Sequence, residues 1–210
     1  MDKLKEMVKN GDGKGVAARV QELLDQGTEP DPILKQGLIP AMDEVGDLYA
    51  KGEFFVPEML SSAKAMNKGM EVLKPKLVES GVEPVGKVVM GTVKGDLHDI
   101  GKNLVSMMFE GAGFEIVDLG TDVAPDKFID AVKEHSPIAV GMSALLTTTM
   151  GSMQDVIDAL KEEGLRDNVK VLIGGAPLSQ EFADEIGADF YGRGPADGKN
   201  YLRKLAGEAA

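Results

Sequence analysis

The chain has 210 residues, 43% of them hydrophobic, which suffices for the core of one large domain or two small ones. Its 35 acidic against 23 basic residues give a formal net charge of −12, and no Lys/Arg-rich stripe offsets it, which argues against nucleic acid as a partner. Cysteine is absent, excluding disulfides and thiolate metal sites, and neither a signal peptide nor a bilayer-spanning run is visible, so a cytoplasmic location with no membrane partner is expected.

The first 80 or so residues read as helices. Val16, Val20, Leu23 and Leu24 recur at steps of three and four along one apolar face. A following helix starts near Pro30-Asp31-Pro32 and places Leu34, Leu38, Met42, Val45 and Tyr49 on a similar stripe. Another begins at Pro57 and carries Met59, Ala63, Met66, Met70, Leu73 and Leu77, the seam of a bundle. A four-helix-type bundle over residues 1–83 is the expectation. The segment 80–86, with two glycines and a proline, is the expected hinge.

From residue 84 to residue 210 the rhythm changes. Short apolar runs at 88–93, 114–119, 138–143, 169–173 and 189–191 alternate with helical stretches near 99–112, 125–135, 149–163, 179–187 and 195–206. Near-continuous hydrophobic strands indicate a parallel sheet covered on both faces. The expected fold class is α/β: a helical bundle followed by a Rossmann- or flavodoxin-like domain with a five-stranded parallel sheet.

Ligands of open α/β sheets sit outside the carboxyl ends of the strands. The loop after the first strand runs Lys94-Gly95-Asp96-Leu97-His98-Asp99-Ile100-Gly101-Lys102-Asn103 and holds one of only two histidines. It fits neither a dinucleotide glycine pattern nor a phosphate-binding P-loop, because Gly101-Lys102 is followed by Asn103 and the preceding glycine is missing. A metal reading fares better. His98 is a good transition-metal ligand, and Asp96 two residues earlier can hold the other ring nitrogen. With no further His or Cys nearby, one protein ligand makes sense only if the metal arrives inside a macrocycle. His135, at a helix end, is read as solvated. Lys102 is read as a surface charge on the first helical turns, and Asp99 as either that or a cofactor contact.

Asp96-x-His98-x-x-Gly101 matches the D-x-H-x-x-G signature of cobalamin-binding domains, with Ser143-x-Leu145 and Gly174-Gly175 as its companions after the third and fourth strands. The chain resembles the corrinoid proteins of methyltransferase systems and the cobalamin module of methionine synthase over essentially its full length. The resemblance implies cobalamin as cofactor, with His98 as the cobalt ligand in place of the cofactor's own base. It further implies Asp96 and Thr149 as its hydrogen-bond relay. Ser143 would lie at the nucleotide tail, Leu145 would contact the cofactor, and Gly101, Gly174 and Gly175 would leave room for the tail. Glu53 to Leu60 resembles the helical lid, with Phe55 and Leu60 as its contacts. The implied function is a methyl carrier, not catalytic alone. It would take methyl from a substrate:corrinoid methyltransferase and pass it to a second methyltransferase acting on a thiol or tetrahydrofolate, with a reductive activase as a further partner. A cobalamin-dependent sensor is the alternative, and the small subunit of a radical mutase a third reading.

Overall fold

Helices fill the first part of the chain and alternate with strands in the second, as the hydrophobic patterns predict. The computed structural model describes residues 1–82 and 84–207; Glu83, within the expected hinge, and residues 208–210 lie outside the described residues. Two compact units result, one of Met1–Pro84 with Glu110–Gly113, the other of Val85–Phe109 with the chain from Phe114 onward. Among the described residues, no helix is long and apolar enough to cross a membrane.

The first unit contains α1 (Asp2–Lys9), α2 (Gly13–Asp25), α3 (Pro30–Ile33), α4 (Ile39–Ala50) and α5 (Val56–Glu79). Asp12 caps α2 by accepting the Gly15 N–H at 2.9 Å. Glu58 reaches back to the Phe55 N–H at 3.1 Å and fixes the start of α5. Where the sequence predicts one helix from Pro30 to Tyr49, the structure inserts a π-helical turn, Leu34–Leu38, between α3 and α4. Pro40 is the physical reason. It has no N–H to offer the carbonyl four residues back, and the Ile39 N–H reaches five residues back to Leu34 instead.

Along α5 the predicted seam holds with one change: Met59, Ala63, Met66, Leu73 and Leu77 are buried, whereas Met70 is half-buried beside a buried Gly69. A Cβ on Gly69 would meet Val16 Cγ1 at 2.8 Å, so α2 and α5 approach each other through the missing side chain. Gly69→Leu should therefore cost about 2 kcal/mol, overpacking outweighing the helix propensity gained, read as a lower urea midpoint at unchanged m-value.

The second unit is built on β1 (Lys87–Thr92), β2 (Glu115–Asp118), β3 (Ala139–Ser143), β4 (Lys170–Gly174) and β5 (Phe190–Gly192). Every pairing is parallel and the order is β2-β1-β3-β4-β5, so the chain reverses direction across the sheet between β1 and β3. The intervening helices are α6 (Ile100–Gly111), α7 (Pro125–His135), α8 (Gly151–Glu162), α9 (Gln180–Ile186) and α10 (Pro195–Leu205). Val89, Val140, Val171 and Ile173 form a core with Phe128, Ile157 and Leu160 from α7 and α8. The three central strands are almost wholly buried, which explains their unbroken apolar runs, while edge strands β2 and β5 are mostly half-buried.

Register decides what meets at the carboxyl edge. Thr92 pairs with Ser143, Ser143 with Gly174, and Gly174 with Gly192. One row across the sheet thus gathers the ends of four strands, and the three sequence motifs sit on or just beyond it.

Candidate functional site

Asp96 is the organising residue. It is fully buried just past the end of β1, and both its oxygens are engaged. Oδ1 accepts the His98 backbone N–H at 3.0 Å and faces His98 Nδ1 at 2.7 Å. Oδ2 accepts the N–H groups of Leu145 and Leu146 at 2.7 and 3.2 Å, and the Thr149 hydroxyl at 2.8 Å. Burial alone would raise its pKa. The bonds from Leu145, from the backbone and ring of His98, and from Thr149 outweigh that and hold the carboxyl well below the usual carboxylate range. The carboxylate thereby stitches the loop after β1 to the loop after β3.

A buried ionised Asp96 accepts hydrogen bonds only, so Nδ1 of His98 carries the ring proton and Nε2 presents its lone pair. The ring is half exposed, and among the described residues Nε2 has no hydrogen-bond partner. Behind the ring, the buried Thr92 hydroxyl donates to the His98 carbonyl at 2.9 Å and pins the loop to the last residue of β1. No group of three or more His, Cys, Asp or Glu suited to a bare metal ion occurs among the described residues. The arrangement offers one imidazole nitrogen, the donor set suited to a metal that brings its own equatorial ligands.

Lys102 corrects the sequence reading. Rather than a surface charge it is 2% exposed, with Nζ bonded to Asp118 at 2.6 and 2.7 Å and to Asn103 Oδ1 at 2.7 Å. Asp99 is exposed, and its carboxylate accepts the Asn103 side-chain N–H at 3.1 Å. The segment after β2 is a further part of the site that sequence reasoning missed. Asp122 accepts the Gly95 N–H at 2.7 Å and donates its own N–H to the Asp96 carbonyl at 2.9 Å, while the Gly120 carbonyl accepts the Thr92 N–H at 2.9 Å. Gly120 and Asp122 both have positive φ, at 84° and 54°. A Gly and an Asp spaced two apart after a strand were the available signal.

The remaining predicted residues fall around this centre. Ser143 ends β3 half-buried, and its hydroxyl has no hydrogen-bond partner among the described residues. Leu97 and Ile100 in the His98 loop are 73% and 72% exposed, and Leu145 and Leu146 are also exposed, an apolar rim that water alone does not explain. The three glycines differ. A Cβ at Gly101 would meet nothing within 4 Å, and one at Gly174 would make only an ordinary 3.6 Å contact with the Gly192 carbonyl. Gly175, at φ +144°, has its own steric reason: a Cβ there would sit 1.9 Å from the Ala144 carbonyl oxygen. Phe55 and Leu60 lie in the first unit, Phe55 65% exposed at the cap of α5 and Leu60 half-buried within that helix. His135 ends α7 at a distance of 3.9 Å from its neighbour Glu134, and nothing ties it to the Asp96 centre.

One B12 binding domain family matches residues 86–200 and a second matches residues 1–74. A corrinoid protein of Desulfitobacterium hafniense is 40% identical, the match covering 99% of this chain and 98% of the relative. The chain belongs to the corrinoid protein family. Trimethylamine corrinoid protein 1 of Methanosarcina acetivorans is 42% identical to this corrinoid protein over 97% of its length and 95% of the relative's. Among solved structures, a chain of the methanol:cobalamin methyltransferase complex of Methanosarcina barkeri superposes with a TM-score of 0.88 at 31% identity, covering 99% of this corrinoid protein and 79% of that chain. A cobalamin-binding protein of Desulfitobacterium hafniense gives 0.79 at 33% identity over 97% of both. The corrinoid protein therefore has two B12-binding domains, the helical one first and the Rossmann-like one second. The residues present fit cobalamin: a lone outward imidazole nitrogen, an apolar rim, and glycines whose missing side chains leave space at Gly101 and Gly174.

Proposed function

We propose that this corrinoid protein is a methyl carrier that holds the cobalt of cobalamin through His98 Nε2. It takes methyl from a substrate:corrinoid methyltransferase and yields it to a second methyltransferase with a thiol or tetrahydrofolate acceptor, a reductive activase restoring the reduced state. The observation that carries the reading is His98 itself, with one ring nitrogen locked on a buried carboxylate and the other presented free. Support for the partners comes from the relatives, named for trimethylamine and dimethylamine, and from the methanol:cobalamin methyltransferase complex.

Bound cobalamin supplies a metal that accepts and gives up the methyl group. The chain's own part is to engage and release that metal. Asp96 keeps the Nδ1 proton in place and so fixes the tautomer and orientation of the ring. On release from the metal, Nε2 would be open to a proton, and Asp96 Oδ1, 2.7 Å from Nδ1, would offset the added charge. The Thr149 hydroxyl has one proton and two acceptors in reach, Asp96 Oδ2 at 2.8 Å and the Leu146 carbonyl at 2.9 Å. It can therefore withdraw from or return to Asp96 as the charge on the pair changes. Ser143 and the glycines at 101, 174 and 175 are assigned to the nucleotide tail, Leu145 to a contact with the cofactor, and Asp99 to its rim. Phe55 and Leu60 are assigned to a lid that excludes water.

Reconstitution with hydroxocobalamin tests the reading. Wild type should show a base-off, histidine-ligated visible spectrum, and His98→Ala a plain base-off spectrum. Identical spectra for the two proteins, or no binding by wild type, would refute His98 as the ligand.

A further inference from the structure

Asp118, at the end of β2, and the buried Lys102 are tied to the histidine loop by hydrogen bonds, and the methyl-carrier reading uses neither. Lys102 sits on the first turn of α6, buried except for 2% of its surface, yet its partner Asp118 is exposed at the end of β2. The three protons of Nζ have three acceptor oxygens: Asp118 Oδ1 and Oδ2, and Asn103 Oδ1. Asn103 in turn donates its side-chain N–H to Asp99, the residue after His98, and its backbone N–H to the Asp99 carbonyl at 2.8 Å. A second route leaves the same carboxylate. Asp118 Oδ1 accepts the Gly120 N–H at 2.9 Å, the Gly120 carbonyl accepts the Thr92 N–H, and the Thr92 hydroxyl donates to the His98 carbonyl. Asp118 is thus joined to the histidine loop from both ends, through Lys102 to Asp99 and through Thr92 to His98.

We propose that Lys102 is a positioning residue for His98, clamping the 94–99 loop to the end of β2 through Asp118 and Asn103. Desolvating the ammonium of Lys102 offsets most of its attraction to the exposed Asp118, so stability is a poor reason to bury this lysine. What such a pair supplies is a defined geometry. Here it fixes the start of α6 against β2, and the loop between β1 and α6 then has both ends held. Asp96 orients the ring of His98; Lys102 holds the backbone from which that ring projects. The consequence rests on the methyl-carrier reading: a loosened loop shifts the balance of bound cobalamin from histidine-ligated toward histidine-released.

The test uses the full chain with Lys102→Met, which keeps length and packing but removes the donors, alongside Lys102→Arg and Asp118→Asn. Without cofactor, hydrogen exchange at the amides of Gly95, Asp96, His98 and Leu145 should quicken about tenfold in Lys102→Met, while Val140 and Val171 in the sheet stay unchanged. Lys102→Arg should restore part of the protection. Asp118→Asn, an exposed and shape-preserving change, should act in the same direction and serves if Lys102→Met does not fold. Unchanged loop exchange, or an equal rise throughout the sheet, overturns the clamp. With hydroxocobalamin bound, Lys102→Met should show a smaller histidine-ligated fraction than wild type. If wild type itself lacks a His98-dependent spectrum, the carrier reading fails and the exchange data alone judge the clamp. If wild type has that spectrum and Lys102→Met matches it, the positioning role fails by itself.

Discussion

Gly175→Ala should destabilise the sheet domain by at least about 3 kcal/mol, whether or not cobalamin is present. At φ +144° only glycine is at ease, and the added methyl would lie 1.9 Å from the Ala144 carbonyl oxygen, backbone that cannot step aside without parting the ends of β3 and β4. Its neighbour should behave in the opposite way. Gly174→Ala meets only a 3.6 Å contact, so the cofactor-free protein should keep its urea midpoint or gain slightly from a stiffer unfolded chain. Gly101→Ala, in the first turn of α6 with nothing within 4 Å, should gain up to about 1 kcal/mol of helix propensity. If the cofactor's tail uses the space at these two positions, both variants should bind hydroxocobalamin at least about tenfold more weakly while folding as well as wild type. Equal affinity in both would remove Gly101 and Gly174 from the binding site.

Asp96→Asn should cost about 2 to 3 kcal/mol at pH 7, a loss out of proportion to the change of one atom. The carboxylate accepts from five donors on two sides. An amide has one accepting oxygen, so whichever side keeps it, the other is faced by an N–H₂ group that also donates. The charge also predicts a pH dependence with a definite sign. The folded pKa of Asp96 lies below its unfolded value, so its contribution is complete above about pH 4 and fades as pH falls toward the folded value. The gap between wild type and Asp96→Asn in urea should therefore shrink by about 1 kcal/mol between pH 5 and pH 3. A gap independent of pH would mean that geometry, not charge, is what the position requires.

Much of this fold is written in local patterns. The alternation of apolar runs with amphipathic stretches places every strand of the sheet to within a residue or two, because the central strands are buried on both faces and their sequences show it. The spacing of Asp96 and His98 also carries their contact, since a two-residue separation in a tight loop lets the carboxylate reach the ring. Thr149 is different: it stands 53 residues from Asp96, and only the resemblance to known corrinoid proteins pointed to it. The Leu145 and Leu146 amides, which do as much for Asp96 as any side chain, are backbone groups that any residue supplies, so no sequence pattern marks them. Nothing local marks Lys102, since lysines are usually solvated and its burial depends on Asp118 arriving from another strand. The π-turn before Pro40 shows the same limit, since the proline is visible but the way the chain accommodates it is a matter of packing.

The row of paired strand ends also bears on how the protein is made. Thr92, Ser143 and Gly174 become neighbours only when β1, β3 and β4 have all docked, and each of those pairings closes a long stretch of intervening chain. The carboxylate of Asp96 has none of its distant donors until the loop after β3 exists. A growing chain that has not yet passed Thr149 therefore has the histidine but not the donors that hold Asp96 beside it. If cobalamin binds as proposed, with its tail at Gly174, loading should follow the docking of β4, and fragments ending before β4 should leave a corrinoid untouched however well their helices form.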